Sequence, residues 1–456
     1  MPRLTRDRTT WLTYAQLGLW GFFLYGFGPV VPLLRDEQGT SAAVAGLHST
    51  GIAVGALAGG ALFAPVARRY GRGPAIWLGL AGVAAGVTTL GLLHPLPATI
   101  AAVAVVATFG MMVISGVNVV LTARHGPAAP AALTEANAAC AGMGILAPLT
   151  IGVTVDAGLS WRPVMAVEVG LITLVALAAL TFRVRLPHGA PATAAAAAPV
   201  GAAPVAAAPV GVAPAPVAAA PVAAAVAPAA VAPAAVASGP REISLSSGPG
   251  GTARRQVPDA GTRVTSARLP RAYWIAWVLM SVTGSIEVCL SLWTADVLRD
   301  HAGLSAGGAS AGVAAIVCGM FVGRAAGGRA ALRWPPVPLL LGALTVSLAG
   351  FTLFWASPIG WLAVTGLVVL GLGNALHYPL AISIALAAAG TATDRAAGWS
   401  SYSMGVGFGI APVVLGWVAD GVGPHLAFLL LPAFIAVAVL LTVRLGRALA
   451  PGVAPA

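Results

Sequence analysis

A glutamate inside a long apolar stretch carries the clearest chemical signal in this chain. Glu287 lies near the middle of a run of mostly apolar residues that begins after Arg271. An ionisable side chain in such a run costs about 2–3 kcal/mol or more, so it usually faces a cavity and has a function. We expect the Glu287 carboxyl group to bind and release a proton. The alternative is a protonated carboxyl group that hydrogen-bonds Thr283 or Ser291, one helical turn away on either side.

Motifs for metal-dependent hydrolysis and for nucleotide hydrolysis are missing. The sequence contains neither H-E-x-x-H nor a phosphate-binding loop ending in G-K-[ST], so we expect no ATP-driven activity from this chain alone. Its three cysteines, Cys140, Cys289 and Cys318, all fall in apolar stretches, which favours packing over a disulfide or a metal site. We therefore expect no enzyme, no metal and no cofactor.

The composition is that of an integral membrane protein. Of the 456 residues, 58% are hydrophobic and only 8% are charged, whereas soluble domains carry about 25% charged residues. The mean hydropathy is +0.91. The net charge of +11 does not indicate a nucleic-acid partner, because the arginines are spread over the ends of apolar segments instead of one face. The partner that this composition predicts is the lipid bilayer.

Two separate motifs repeat at the same distance along the chain. Residues 147–156 and 411–420 share the form A-P-x-x-[IL]-G-x-x-x-D and lie 264 residues apart. Residues 34–42 and 298–306 share the form L-R-D-x-x-G-x-S-A at the same 264-residue offset. The chain is therefore a tandem duplication. Parallel repeats joined by a long connection are one plan on which membrane transporters are built.

Apolar runs long enough to cross a bilayer, about 20 residues each, occur twelve times. We predict an all-α membrane protein with 12 transmembrane helices in two repeat-related six-helix bundles, one in residues 1–186 and one in 271–456. The predicted helices are 11–33, 43–66, 75–93, 98–121, 131–156 and 162–182 in the first half, and 272–297, 307–331, 337–356, 359–386, 397–419 and 425–444 in the second.

The arginines predict the orientation. Most of them fall at the ends and loops that share a side with the N-terminus, and the positive-inside rule puts that side in the cytoplasm. Both termini and the central connection are thus expected to be cytoplasmic in a bacterial plasma membrane. The connection, 187–270, is rich in Ala and Pro, which prevents a continuous helix and predicts a disordered linker. A passive tether is the simpler role, and binding of a partner is the alternative.

The loop between predicted helices 2 and 3 carries a family signature in partial form. A loop of the form G-x-x-x-D-R-x-G-R is typical of the major facilitator superfamily, which this chain resembles in its two six-helix halves and long central loop. Arg69, Gly71 and Arg72 match its R-x-G-R ending, while Arg68 stands at the acidic position. In the second half, 323–329 has the similar form G-R-x-x-G-G-R. Its Arg324 is expected either to extend to the membrane interface or to pair with an acid during closure.

Predicted helix 5 resembles the exporter branches of that superfamily. Their motif is like G-P-x-x-G-G, and Ala147, Pro148 and Gly152 occupy similar positions here. Proline bends a membrane helix and small residues allow close packing. Because Pro412 and Gly416 repeat the pattern in predicted helix 11, the bend also has a structural interpretation that belongs to the duplication itself.

The resemblance also implies which helices surround a substrate cavity, namely 1, 4, 7 and 10. It suggests His377 as a second group for proton transfer. The residues it suggests for substrate contact are Trp20, Tyr25, Asn118, Asn374, His377 and Tyr378. For each of them packing between helices is the alternative, since Asn374 and His377 are three residues apart and share one helix face.

Three functions remain open at this stage. The first is a proton-coupled secondary transporter that exports a small organic molecule by alternating access, acting as a monomer. The second is proton-coupled uptake of a sugar-like or other small metabolite. The third is a membrane sensor or assembly subunit without transport, for which the altered loop between helices 2 and 3 would fit.

Overall fold

The computed structural model describes residues 4–184, 186, 269–331, 333–389 and 393–449. Nearly all of the predicted linker, 187–270, lies outside them. Among the described residues, 12 helices are long and apolar enough to cross a membrane. The all-α fold and the number of spans predicted from the sequence are confirmed.

The first half of the chain forms six uninterrupted spans. They are α1 (Arg8–Gln38), α2 (Ala42–Tyr70), α3 (Arg72–Leu92), α4 (Leu96–His125), α5 (Ala129–Asp156) and α6 (Arg162–Thr181). Several begin or end beyond their predicted limits, because polar end residues continue the helix past the apolar run. The α1 helix, for example, continues through Arg35 and Asp36 to end at Gly39, whose φ of 60° closes it.

The second half forms six spans of which three are interrupted. They are α7 (Arg271–Asp300), α8 (Ala306–Gly312 and Ala314–Ala331), α9 (Pro336–Ala356), α10 (Gly360–Asn374 and His377–Ala388), α11 (Thr393–Val422) and α12 (Pro424–Ala427 and Leu430–Leu449). The span predicted over 359–386 is confirmed as Gly360–Ala388, although its helix has an irregular turn at Ala375 and Leu376. The apolar pattern continues through this turn, so hydropathy gave no sign of it.

Short polar caps start the helices where loops enter the bundle. Asp7 precedes α1 and accepts the Thr10 N–H at 2.9 Å. Ser41 and its repeat counterpart Ser305 cap α2 and α8 in the same way, at 3.4 and 2.9 Å. Each cap satisfies a backbone N–H that the first helical turn leaves without a partner. The duplication thus extends to the way these two helices begin.

The two halves meet along three helix pairs. α2 packs on α11, α5 on α8, and α1 on α7. Each pair joins one helix from each half, and the first two are related by the internal repeat. The surface between the halves is therefore built from the segments that carry the repeated motifs.

Candidate functional site

A cavity of about 50 Å³ lies between the two halves. Its wall is mostly apolar, and it is formed by residues of α1, α2, α7, α8 and α11. They include Phe27, Ile52, Val317, Met320 and Phe408. An apolar wall with a few polar groups is typical of sites that bind small organic molecules. Glu287 is the one carboxylate in this wall.

Glu287 has a cation as its neighbour. Arg324 of α8 is only 8% exposed, and Tyr25, Glu287 and Cys140 lie near enough to interact with it electrostatically. Its burial argues against extension to the interface, and it forms no ion pair within 4.0 Å among the described residues. The cluster joins both halves, because Tyr25 and Cys140 belong to the first and Glu287 and Arg324 to the second.

The aromatic candidates divide between the cavity and the core. Tyr25 lines the cavity, while Trp20 is 1% exposed and packs with Phe23 in the core. Tyr378 is buried beside Glu287, and its hydroxyl has no hydrogen-bond partner among the described residues. Tyr25 and Tyr378 therefore lie near Glu287, whereas Trp20 is a packing residue in the core.

The polar candidates on α10 face other helices. His377 is 1% exposed and its Nε2 lies 3.0 Å from the Ser347 hydroxyl of α9. The Asn374 amide contacts the Met320 sulfur at 3.8 Å. These contacts support the packing alternative for His377, whereas Asn374 stands directly behind the cavity wall. Asn118 of α4 is half-buried.

One serine has a neighbourhood that resembles a catalytic motif. Residues 308–312 read G-A-S-A-G, which is the form of a hydrolase nucleophile elbow. The structure puts Ser310 inside the first turns of α8, 1% exposed, where its hydroxyl donates to the Ala306 carbonyl oxygen at 2.8 Å. An elbow needs an exposed serine on a strand-to-helix turn, so Ser310 does not fit that role.

The bundle has two unlike ends. We call the end where α1 and α7 begin the basic end, and the opposite one, at Arg35 and Asp296, the sealed end. At the sealed end Arg35 of α1 pairs with Asp296 of α7 at 2.5 Å, and Arg299 of α7 pairs with Asp36 of α1 at 2.7 Å. The Asp296 side chain is only 3% exposed, although Asp296 lies near the end of an apolar run.

The aspartates of the repeated motif also hold the sealed end closed, because each accepts hydrogen bonds from the other half. Asp420 at the end of α11 accepts the backbone N–H groups of Ala42 and Ala43, at 2.7 and 3.0 Å. Its counterpart Asp156 at the end of α5 accepts the Gly307 N–H at 3.2 Å. Each carboxylate thus caps a helix of the other half, where the positive end of the helix dipole favours a negative charge.

The small residues of the same motif make this approach possible. Gly416 lies against the backbone of Ala42, and Gly152 lies against the Gly307 carbonyl oxygen, where an added Cβ would sit at 2.5 and 2.8 Å. Ala147 and Pro148 are buried one turn earlier, as is Pro412, whose carbonyl oxygen accepts the Trp293 N–H at 3.2 Å. This arrangement supports the structural interpretation of the motif.

Among the described residues, the ion pairs at the basic end stay within the first half. Arg6 pairs with Glu135 at 2.5 Å, and Arg124 pairs with Asp7. In the loop that carries the family signature, Arg69 is exposed and stacks on Tyr70 with 5.4 Å to the ring centroid. Gly71 has a φ of 92° and ends α2, and the half-buried Arg72 begins α3.

A family model described as Major Facilitator Superfamily matches residues 17–398. The chain belongs to the major facilitator superfamily. Members of this superfamily are membrane transporters. Family membership therefore supports the general function of a multi-pass transporter of small molecules. No curated protein sequence matches the chain.

Solved structures of superfamily transporters have the same fold. A variant of the nucleoside transporter NupG has a TM-score of 0.67 and 13% identity, covering 97% of this chain and 98% of its own. A bacterial homologue of the human lysosomal transporter Spinster, in an inward-facing and occupied conformation, has a TM-score of 0.66 and 13% identity, with 98% of each chain covered. The Escherichia coli fucose:proton symporter FucP has a TM-score of 0.52 and 15% identity, covering 96% and 98%. At these identities the likeness concerns the fold.

Sequence reasoning missed two features of this transporter. Arg162 bonds Glu37 and the Gly91 carbonyl oxygen, so it is not a partner of the nearby Glu168. Glu168 is 0% exposed, and neither carboxyl oxygen has a hydrogen-bond partner in the described part of the chain. The Arg35–Asp296 pair was also missed, although both residues were visible near the ends of apolar runs. Its partners lie 261 residues apart in the chain, and only the packing of α1 on α7 brings them together.

Proposed function

We propose that this chain is a proton-coupled secondary transporter that moves a small organic molecule by alternating access, with Glu287 carrying the proton. The observation that carries the proposal is the position of Glu287, which is half-buried in the wall of a cavity between two repeat-related halves. A carboxyl group in this place is exposed to whichever side the cavity opens, and alternating access needs such a shared site.

The working unit is a single chain in a bacterial plasma membrane, with the basic end, both termini and the linker in the cytoplasm. The charge distribution supports this orientation, because Arg68, Arg69, Arg72 and Arg124 all lie at the basic end. In this orientation the sealed end faces outward, and the conformation described here is closed to the outside.

Two directions of transport have support. The A-P-x-x-I-G bend of α5 and the apolar cavity wall favour export in exchange for protons. The buried Arg324 near Glu287 favours uptake together with protons, because an anion on Arg324 and a proton on Glu287 stabilise each other. The sensor hypothesis has less support, because the cavity and its carboxylate would have no use in a chain without transport.

The experiment is counterflow in proteoliposomes with an imposed pH gradient. Substrates come from a growth screen of an overexpressing strain against a panel of organic compounds. Export predicts that protons enter as the solute leaves, and uptake predicts that both move together. For Glu287→Gln we expect pH-driven flux to fall at least about tenfold, equivalent to about 1.4 kcal/mol, while solute exchange without a gradient continues.

The matched control is Glu168→Gln. Glu168 is also a carboxylate within a membrane helix, but it lies outside the cavity wall. Its variant should keep pH-driven flux. Unchanged pH-driven flux in Glu287→Gln would remove Glu287 from the mechanism, and the absence of any solute flux would favour the sensor hypothesis.

A further inference from the structure

Arg324 continues the cavity face of α8. Val313, Val317 and Met320 line the cavity, and Arg324 follows at the next helical position of the same face. Since α8 begins at the sealed end, Arg324 lies beyond these apolar residues toward the basic end. The apolar part of the wall is thus bounded on one side by a cation.

This cation is buried without a close counter-ion. Arg324 is 8% exposed and its Nε has no hydrogen-bond partner in the described part of the chain. None of the ion pairs within 4.0 Å that the described residues form includes it. A guanidinium is always charged and offers five N–H donors in one plane. Burying the cation with its Nε donor unpaired is costly unless a ligand completes the site.

Glu287 is near enough to influence Arg324 but does not occupy its donors. The two groups act on each other electrostatically, together with the Tyr25 hydroxyl. A negatively charged ligand on Arg324 would repel the ionised Glu287 carboxylate. A proton on Glu287 removes that repulsion, so proton binding and anion binding strengthen each other, and this coupling is reciprocal. A cationic ligand would have the opposite effect and would expel the proton.

We propose that Arg324 recognises the anionic group of the substrate and that the substrate class is an organic anion with an apolar body, carried together with the proton on Glu287. The carboxylate, phosphate or sulfonate group lies on the guanidinium, and the apolar body lies against Val317, Met320 and Phe27. This proposal rests on the proposed function and selects uptake as its direction, because anion and proton move the same way.

The test uses three ligands of the same size that differ in charge, namely naphthalenesulfonate, naphthalenesulfonamide and naphthylmethylammonium. Their binding to the purified full chain in lipid nanodiscs is measured by calorimetry in buffers of different ionisation enthalpy, which reports the protons taken up or released. We expect the sulfonate to bind most tightly and to bring up to one proton with it. We expect its affinity to fall as the pH rises.

Variants separate the two residues. Arg324→Gln should weaken sulfonate binding at least about tenfold, as expected for hydrogen bonds to a charged group. Arg324→Lys retains the charge, and its affinity for the sulfonate should lie between those of Arg324→Gln and the unmodified protein. This variant is also the control for a folding defect in Arg324→Gln. Glu287→Gln should bind the sulfonate with little dependence on pH and without proton uptake. Arg444→Gln, at an exposed arginine of α12, is the control and should match the unmodified protein.

Tighter binding of the ammonium or the amide, lack of sulfonate binding, or an unchanged affinity in both Arg324 variants would each overturn the anion assignment. Those results leave proton coupling intact if Glu287→Gln still abolishes pH-driven flux. Loss of the proposed function has a different signature, namely pH-driven flux that is unchanged in Glu287→Gln.

Discussion

The sealed end and the basic end of this transporter use the same kinds of charged residue in different ways. At the sealed end the ion pairs of Arg35 and Arg299 and the caps of Asp156 and Asp420 all join one half to the other. At the basic end the pairs of Arg6 and Arg124 join helices of the first half only.

The difference shows which contacts must break for the transporter to change state. Opening the sealed end removes carboxylates from the helix ends they cap, and it exposes the Arg35–Asp296 pair. Opening or closing the basic end leaves the pairs of Arg6 and Arg124 intact, since both partners move as one unit. The sealed end is therefore the one whose charged residues set the balance between the two states.

The largest effect is expected from a side chain that prevents the seal. In Gly416→Leu the Cβ alone would sit 2.5 Å from the Ala42 carbonyl oxygen, closer than real contacts of this kind allow. We expect transport to be lost and the cavity to open at the sealed end. A cysteine at Ile52, in a background with alanine at the three native cysteines, should then react with an impermeant maleimide added from that side.

Gly421→Leu is the control for this variant, because Gly421 has nothing within 4 Å of its Cβ position. It should leave the labelling pattern and transport unchanged. Equal labelling from the sealed side in both variants would contradict the assignment of Gly416 to the seal.

Arg35→Gln should have the next largest effect. It leaves the Asp296 carboxylate, whose side chain is 3% exposed, without its cation. Removal of one partner from a buried pair costs about 3 kcal/mol at the low end of the usual range. A thermal-unfolding series should show a lower midpoint for Arg35→Gln and partial recovery in the double variant with Asp296→Asn. Additive losses in the double variant would show that the two residues are not coupled.

The two caps should differ from each other by a smaller amount. Asp420 accepts two N–H groups at 2.7 and 3.0 Å, whereas Asp156 accepts one at 3.2 Å and the Ser305 hydroxyl at 3.2 Å. We expect Asp420→Asn to shift the balance toward opening by about 1 kcal/mol and Asp156→Asn by about half as much. Labelling of the cysteine at Ile52 from the sealed side measures both. An equal or reversed order would mean that the distances do not reflect the strength of the caps.

Arg6→Gln should have the smallest effect. Its side chain is 48% exposed and its partner Glu135 belongs to the same half, so the pair does not change between states. Exposed pairs of this kind contribute little to stability. The labelling pattern and pH-driven flux should match the unmodified protein, and a shift in either would show that the basic end also takes part in setting the balance.

The fold could be predicted because its apolar segments and its internal repeat can be read directly from the sequence. Twelve apolar runs and a 264-residue offset between two motifs are local or self-similar features, and a bilayer forces each run into a helix because its backbone groups have no other partner. For the same reason Glu287 was found in advance, since a carboxylate in an apolar run is conspicuous by itself. The interruption of α10 was not visible, because Ala375 and Leu376 are as apolar as their neighbours.

What only the tertiary structure decided is which residues meet. Arg324 and Tyr25 come from different halves, and nothing in the sequence indicated that they lie close together. The repeated A-P-x-x-[IL]-G-x-x-x-D motif could be found from the sequence, but its use as a cap on the opposite half follows from the packing of α5 on α8 and α11 on α2. Spacing along a helix predicts neighbours only within that helix, whereas contacts across the bundle depend on how all the helices pack together.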